Sequence, residues 1–159
     1  MMVAKNTYAH RKLSRQIKDR EITKVYLCLV RGNPKSDEGT ISGEIGRDTH
    51  NRKRMAIVES GRVAETSYKV MHTYSESSLV EAYPKTGRTH QIRVHFSSIG
   101  HPIIGDSLYG GTNKSLKRQF LHSTRLGFWL PSNQQYVEFE SNLPCDLKMF
   151  LDGLALESL

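Results

Sequence analysis

Between Ala82 and Gly105 the chain carries no aspartate or glutamate, yet it holds Lys85, Arg88, His90, Arg93, His95 and His101. A stretch this one-sided needs anions from elsewhere in the fold or from a ligand. Arg93 falls in the first turns of a predicted helix, where the positive end of the helix dipole disfavours a cation. A carboxylate close in space would relieve it. Arg88 and Thr89 follow Gly87, a place where free backbone N–H groups can receive an anion. The competing reading of the same residues is a basic surface helix with incidental histidines.

Other chemistries fit poorly. His90, His95 and His101 are separated by five and six residues, whereas a helical zinc pair needs i,i+4 spacing, and no cysteine or acid lies close to them. Metal binding is therefore not expected. Ser97 and Ser98 are not set in a Gly-x-Ser-x-Gly elbow, and no glycine-rich phosphate loop occurs. Cys28 sits in an apolar run and Cys145 follows a proline, so two reduced thiols are expected rather than a disulfide.

The elements that must position the basic stretch follow from patterning. A helix is predicted over 6–20, capped by Asn6, with Ala9, Leu13 and Ile17 on its apolar stripe. Its other face holds His10, Arg11, Lys12, Arg15 and Lys18. Met1 to Ala4 read as the tail of a strand. Ile22 to Val30 read as a strand buried on both faces, followed by a loop from Arg31 to Thr40. Short strands near 41–45 and 55–58 flank a basic connection with Arg47, Arg52, Lys53 and Arg54. Further strands are predicted near 64–74, 77–84, 120–130 and 136–140. A helix runs from near Thr89 to Gly100, with Ile92, Phe96 and Ile99 inward. A last one spans 146–157, with Leu147, Phe150, Leu151 and Leu154 inward. Strands dominate and connections are short, so the expected class is α+β, a mainly antiparallel mixed sheet with flanking helices. The 159 residues suit a single domain spanning 1–159. The net charge of +7 favours a polyanionic partner, nucleic acid first. No transmembrane run or signal peptide is legible, so a cytoplasmic protein is expected.

Three segments are recognisable as words: Lys-Val-Tyr-Leu at 24–27, Thr-Gly-Arg-Thr-His-Gln-Ile-Arg-Val-His at 86–95, and Gly-His-Pro-Ile-Ile-Gly-Asp-Ser-Leu-Tyr-Gly at 100–110. Together they resemble the signature segments of the RluA/RluD family of RNA pseudouridine synthases. The flanks at 3–20 and 143–151 resemble that family's helix after the catalytic loop and its closing helix.

The resemblance implies a pseudouridine synthase-like catalytic domain that isomerises uridine in RNA, ribosomal RNA being the expected substrate, by flipping the base and without cofactor. It implies catalytic roles for Tyr26, which would stack on the uracil, and for Arg93, which would pair with the catalytic aspartate. Lys24, Arg88, Thr89 and His90 are expected to contact substrate, with Arg15, Arg52 and Arg54 on the outer basic surfaces. The family places its nucleophile in a His-Arg-Leu-Asp segment just before the position of Met1, and these 159 residues do not include it. The chain by itself is therefore expected to be a truncated, inactive domain, with Arg93 an unpaired cation and with sheet edges prone to self-association. Asp106 is expected to cap a tight turn rather than to replace the nucleophile. The alternative is a non-catalytic RNA-binding module.

Overall fold

The computed structural model describes residues 2–157, with side chains described as far as Leu154. Helix α1 (Thr7–Asp19) starts where the Asn6 side chain accepts from the Ala9 amide. It stops at Arg20, which adopts a left-handed conformation and returns its N–H to the last turn. Leu13 and Gln16 are its buried residues, while Ile17 is 57% exposed, so the inward stripe is narrower than the apolar spacing suggested. Gln16 takes the inward place because its amide exchanges two hydrogen bonds with the backbone of Trp129, at 2.8 and 2.9 Å. Residues 2–4 lie outside any strand; Met2 and Ala4 pack against Leu13, Ile22 and Phe128 instead.

Seven strands follow: β1 (Thr23–Arg31), β2 (Glu38–Arg47), β3 (Met55–Ile57), β4 (Arg62–Thr73), β5 (Ser77–Pro84), β6 (Leu121–Trp129) and β7 (Tyr136–Glu140). They form one sheet in the order β3-β2-β4-β5-β1-β6-β7, and every adjacent pair is antiparallel. β2 begins at Glu38, inside the expected loop, because its first residues pair with the far end of β4. Helix α2 (Gln91–Ser98) leans on β2 to β5, with Phe96 edge-on to Tyr68 at 5.6 Å. Ile92 and Phe96 are buried but Ile99 is exposed, since the helix stops at Ser98. Helix α3 (Cys145–Glu157) anchors Leu147 in the main core, which gathers Cys28, Leu29, Val30, Val80, Ala82, Phe96, Ile103 and Phe120. Both cysteines are free thiols, Cys28 buried and Cys145 exposed.

Two local features shape what lies at the end of the sheet. The register between β1 and β6 shifts between Val25 and Tyr26, and such bulges re-aim side chains. The turn from Gly105 to Gly111 is closed by the Gly105 amide on the Gly111 carbonyl at 2.6 Å. A Cβ at Gly105 would collide with the Arg118 carbonyl, and one at Gly111 with the Ile103 carbonyl, so the turn tolerates no side chain at either end.

Candidate active site

A cavity of about 430 Å³ opens between β1, the end of β5, the following turn and α2. Lys24, Tyr26, Arg88, His90 and Arg93 line it, so five of the residues singled out by sequence come together. Pro84, Thr86, Gln91, Ile92 and Leu121 complete much of the wall, and no carboxylate is among the described lining residues. Gly87 and Arg88 also line a second hollow of about 330 Å³, shared with Thr89 and Arg62. Thr89 lines this second hollow and not the first, with Gly87 and Arg88 forming the ridge between them.

The ridge is built by one buried amide. Gln91 Oε1 accepts from Thr86 Oγ1 at 2.7 Å and from the Arg88 N–H at 3.0 Å. Its Nε2 donates to the Glu65 carbonyl at 2.9 Å and to Thr66 Oγ1 at 3.0 Å. Both hydrogens and both acceptor sites are used, which fixes the amide and holds the 86–88 turn against β4. His90 takes a left-handed φ of 56° as the N-cap and caps nothing with its ring. The ring instead reaches Tyr109, Nδ1 to hydroxyl at 2.9 Å.

The same network reaches a buried histidine. Thr66 Oγ1 accepts from Gln91 and lies 2.9 Å from His95 Nδ1, the two sharing one hydrogen bond whose direction follows the histidine tautomer. Burial pushes the His95 pKa below 6.5, which favours the neutral imidazole. Nε2 is buried and has no partner among the described residues. Burial, then the Arg93 charge, lowers His90 as well. Lys24, half-buried in the cavity wall, is also held below its ordinary value by burial. His101 faces elsewhere, on the Arg31 carbonyl, so the three histidines serve three separate environments.

Arg93 corrects an expectation. It is not an unpaired cation: its Nε and Nη2 meet the two Asp106 carboxylate oxygens at 2.6 and 2.9 Å. The Arg93 side chain is 15% exposed and that of Asp106 only 1%. The sequence reading sought a carboxylate for Arg93 upstream, whereas the Gly105–Gly111 turn brings one from 13 residues downstream. Asp106 also accepts from the Leu108 amide at 3.2 Å, so its turn-capping role holds too. The Tyr109 ring lies over the Arg93 guanidinium at 4.8 Å, its centroid 5.2 Å from that of Arg54, and its hydroxyl accepts from the Met55 amide. Arg54 therefore adjoins the site through Tyr109. Arg52 lies on the exposed turn beside it, its carbonyl taken by Arg47. Asp48 caps that turn through the His50 and Asn51 amides, which lower its pKa. Arg15 is not brought to the cavity: it is exposed on α1, paired with Asp19 at 3.3 Å. Gln91, Asp106 and Tyr109 were not singled out as site builders. Only the Gly-Asp-Ser-Leu-Tyr-Gly text at 105–110, glycines at both ends of a turn, carried a signal for two of them.

Comparison with known proteins settles the relationship. The model of a family described as RNA pseudouridylate synthase matches residues 1–98. The chain belongs to the RNA pseudouridylate synthase family. An uncharacterized RNA pseudouridine synthase of Chloroflexus aurantiacus is 43% identical over 97% of this chain and 49% of its own length. The ribosomal large subunit pseudouridine synthase D of Nitrosomonas europaea is 39% identical over 97% of this chain and 47% of its own length. The chain thus spans about half the length of the curated relatives it matches. Among solved structures, human RNA pseudouridylate synthase domain containing 1 superposes with a TM-score of 0.77 at 35% identity, covering 89% of this chain and 63% of that one. This likeness places the antiparallel sheet and its flanking helices among pseudouridylate synthase folds. No helix among the described residues is long and apolar enough to cross a membrane.

Proposed function

We propose that this chain forms the uridine-receiving wall of an RNA pseudouridine synthase, with the nucleophilic aspartate supplied by a His-Arg-Leu-Asp segment outside these 159 residues. The observation that carries the reading is the cavity itself: Tyr26, Lys24, Arg88, His90 and Arg93 line one opening in a family member. In the reaction the glycosidic C1′–N1 bond breaks, the uracil turns, C5 bonds to C1′, the C5 proton leaves to solvent and N1 takes up a proton.

A base in a duplex or folded loop must leave its stack to enter such a cavity, and an aromatic ring offers it a new stacking partner. Tyr26 takes that role. Arg93 pairs with the incoming aspartate and keeps it ionised in a closed site. Lys24, Arg88 and His90 contact the flipped nucleotide, and Arg88 with Thr89 steers the flanking phosphate across the ridge. Arg52, Arg54 and Arg15 hold the RNA backbone farther out. The names of relatives that act on the ribosomal large subunit support ribosomal RNA as the substrate and the cytoplasm as the setting.

The test is tritium release from RNA carrying 5-tritiated uridine, with this chain joined behind the upstream half of a relative. Release is expected from the joined protein and not from its Arg93→Ala variant. A joined protein that binds RNA yet releases no tritium overturns the enzyme reading and leaves RNA binding alone.

A further inference from the structure

A guanidinium can offer two edges to anions, and Arg93 uses one. Asp106 engages Nε and Nη2, and no hydrogen-bond partner for Nη1 is found among the described residues. Asp106 owes its own position to backbone, not to Arg93. Its N–H donates to the Ile103 carbonyl, and its carbonyl accepts from the Tyr109 and Gly111 amides. The two glycines that cannot accept a side chain close that turn. The Arg93 guanidinium is therefore fixed along one edge by Asp106 and over one face by Tyr109, while its side chain forms part of the cavity wall.

We propose that Asp106 is a positioning residue: it holds Arg93 with the Nη1 side presented to the cavity, as a second anion site whose strength it limits. Two anions on one guanidinium share its charge. An anion arriving at Nη1 is oriented without being fully neutralised, and a carboxylate held this way stays nucleophilic. That the second anion is the catalytic carboxylate rests on the synthase reading above; the positioning of Arg93 rests on the geometry alone.

The test uses the chain of 159 residues and inorganic phosphate as the probe. The Arg93 Nε–Hε resonance is followed in a nitrogen-15 spectrum, assigned by its loss in Arg93→Lys. In the unaltered protein this Hε should exchange with water far more slowly than those of the surface arginines, and phosphate should shift it. In Asp106→Asn the slow exchange should be lost and phosphate should bind about tenfold more tightly at Arg93, since the competing carboxylate is gone. A role confined to supporting the fold would change melting temperature without tightening phosphate. Should Asp106→Asn fail to fold, Arg93→Lys decides. An ammonium held by Asp106 has no second rigid edge, so the phosphate shifts at the Gln91 and Ile92 amides should vanish. Free exchange of the Arg93 Hε, or phosphate shifts unchanged in Arg93→Lys, overturns the proposal. A protected Hε in a protein whose joined form releases no tritium would sink the synthase reading and leave this one standing.

Discussion

Two arginine–aspartate pairs in this molecule share nearly the same geometry. Arg93 meets Asp106 at 2.6 and 2.9 Å, and Arg118 meets Asp146 at 2.7 and 3.0 Å, each through Nε and Nη2. Their surroundings differ. The Asp106 side chain is 1% exposed, in a glycine-bounded turn under a tyrosine ring; that of Asp146 is 52% exposed, in the first turn of α3. The lesson is that hydrogen-bond lengths do not rank ion pairs. Water screens the second pair and would replace either partner at little loss, whereas nothing replaces Asp106 beneath Arg93.

The comparison can be broken at its strongest point first. Asp106→Asn should lower unfolding free energy in urea by about 3 kcal/mol, because it strands a largely buried cation. A loss no larger than that of Asp146→Asn would erase the distinction. Gln91→Leu should cost about 2 kcal/mol in the same assay, since it leaves Thr66 and Thr86 hydroxyls buried with fewer partners. It should also weaken RNA binding by loosening the 86–88 turn.

Acid should act on the buried region next. His95 and His90 titrate below 6.5 in the folded chain, so at pH values beneath 6.5 the unfolded chain binds protons that the folded one refuses. Stability is then complete above 6.5 and declines as pH falls through it. The decline, followed as melting temperature, should be shallower in His95→Asn, whose amide can still hydrogen-bond Thr66 but does not titrate. An equal slope would show that His95 is not buried neutral. Arg52→Ala should reduce RNA affinity only a few-fold and flatten the plot of log affinity against log salt by about 0.7 to 0.9 if it contacts one phosphate. Smallest of all, Asp146→Asn should leave the melting temperature unchanged within error.

Much of the fold was legible because hydrophobic patterning is local. The β5 and β7 boundaries, the Asn6 cap and the α3 anchor Leu147 all follow from residues a few positions apart. The lining of the candidate cavity was legible only where a side chain's type and motif spoke for it, as with Tyr26 and Arg93. Its supporting network was not, because each link joins distant segments: Gln91 to Glu65 and Thr66, Arg93 to Asp106, Tyr109 to Met55. The buried Gln16 on α1 was missed for the same reason, its partner Trp129 lying far along the chain. A polar side chain inside a core is justified by its partner, and the partner is elsewhere in the sequence.

Strand β1, which carries Lys24 and Tyr26, has no sequence-adjacent partner: Tyr26 pairs with Ala82 on one side and Ser123 on the other. The neighbouring β2, β4 and β5 zip through nearer pairings, but β1 waits for chain from both later regions to arrive. Loop closure of that kind is slow. The cavity lining runs from Lys24 to Leu121, so a ribosome must have released about three quarters of these residues before its wall can be complete.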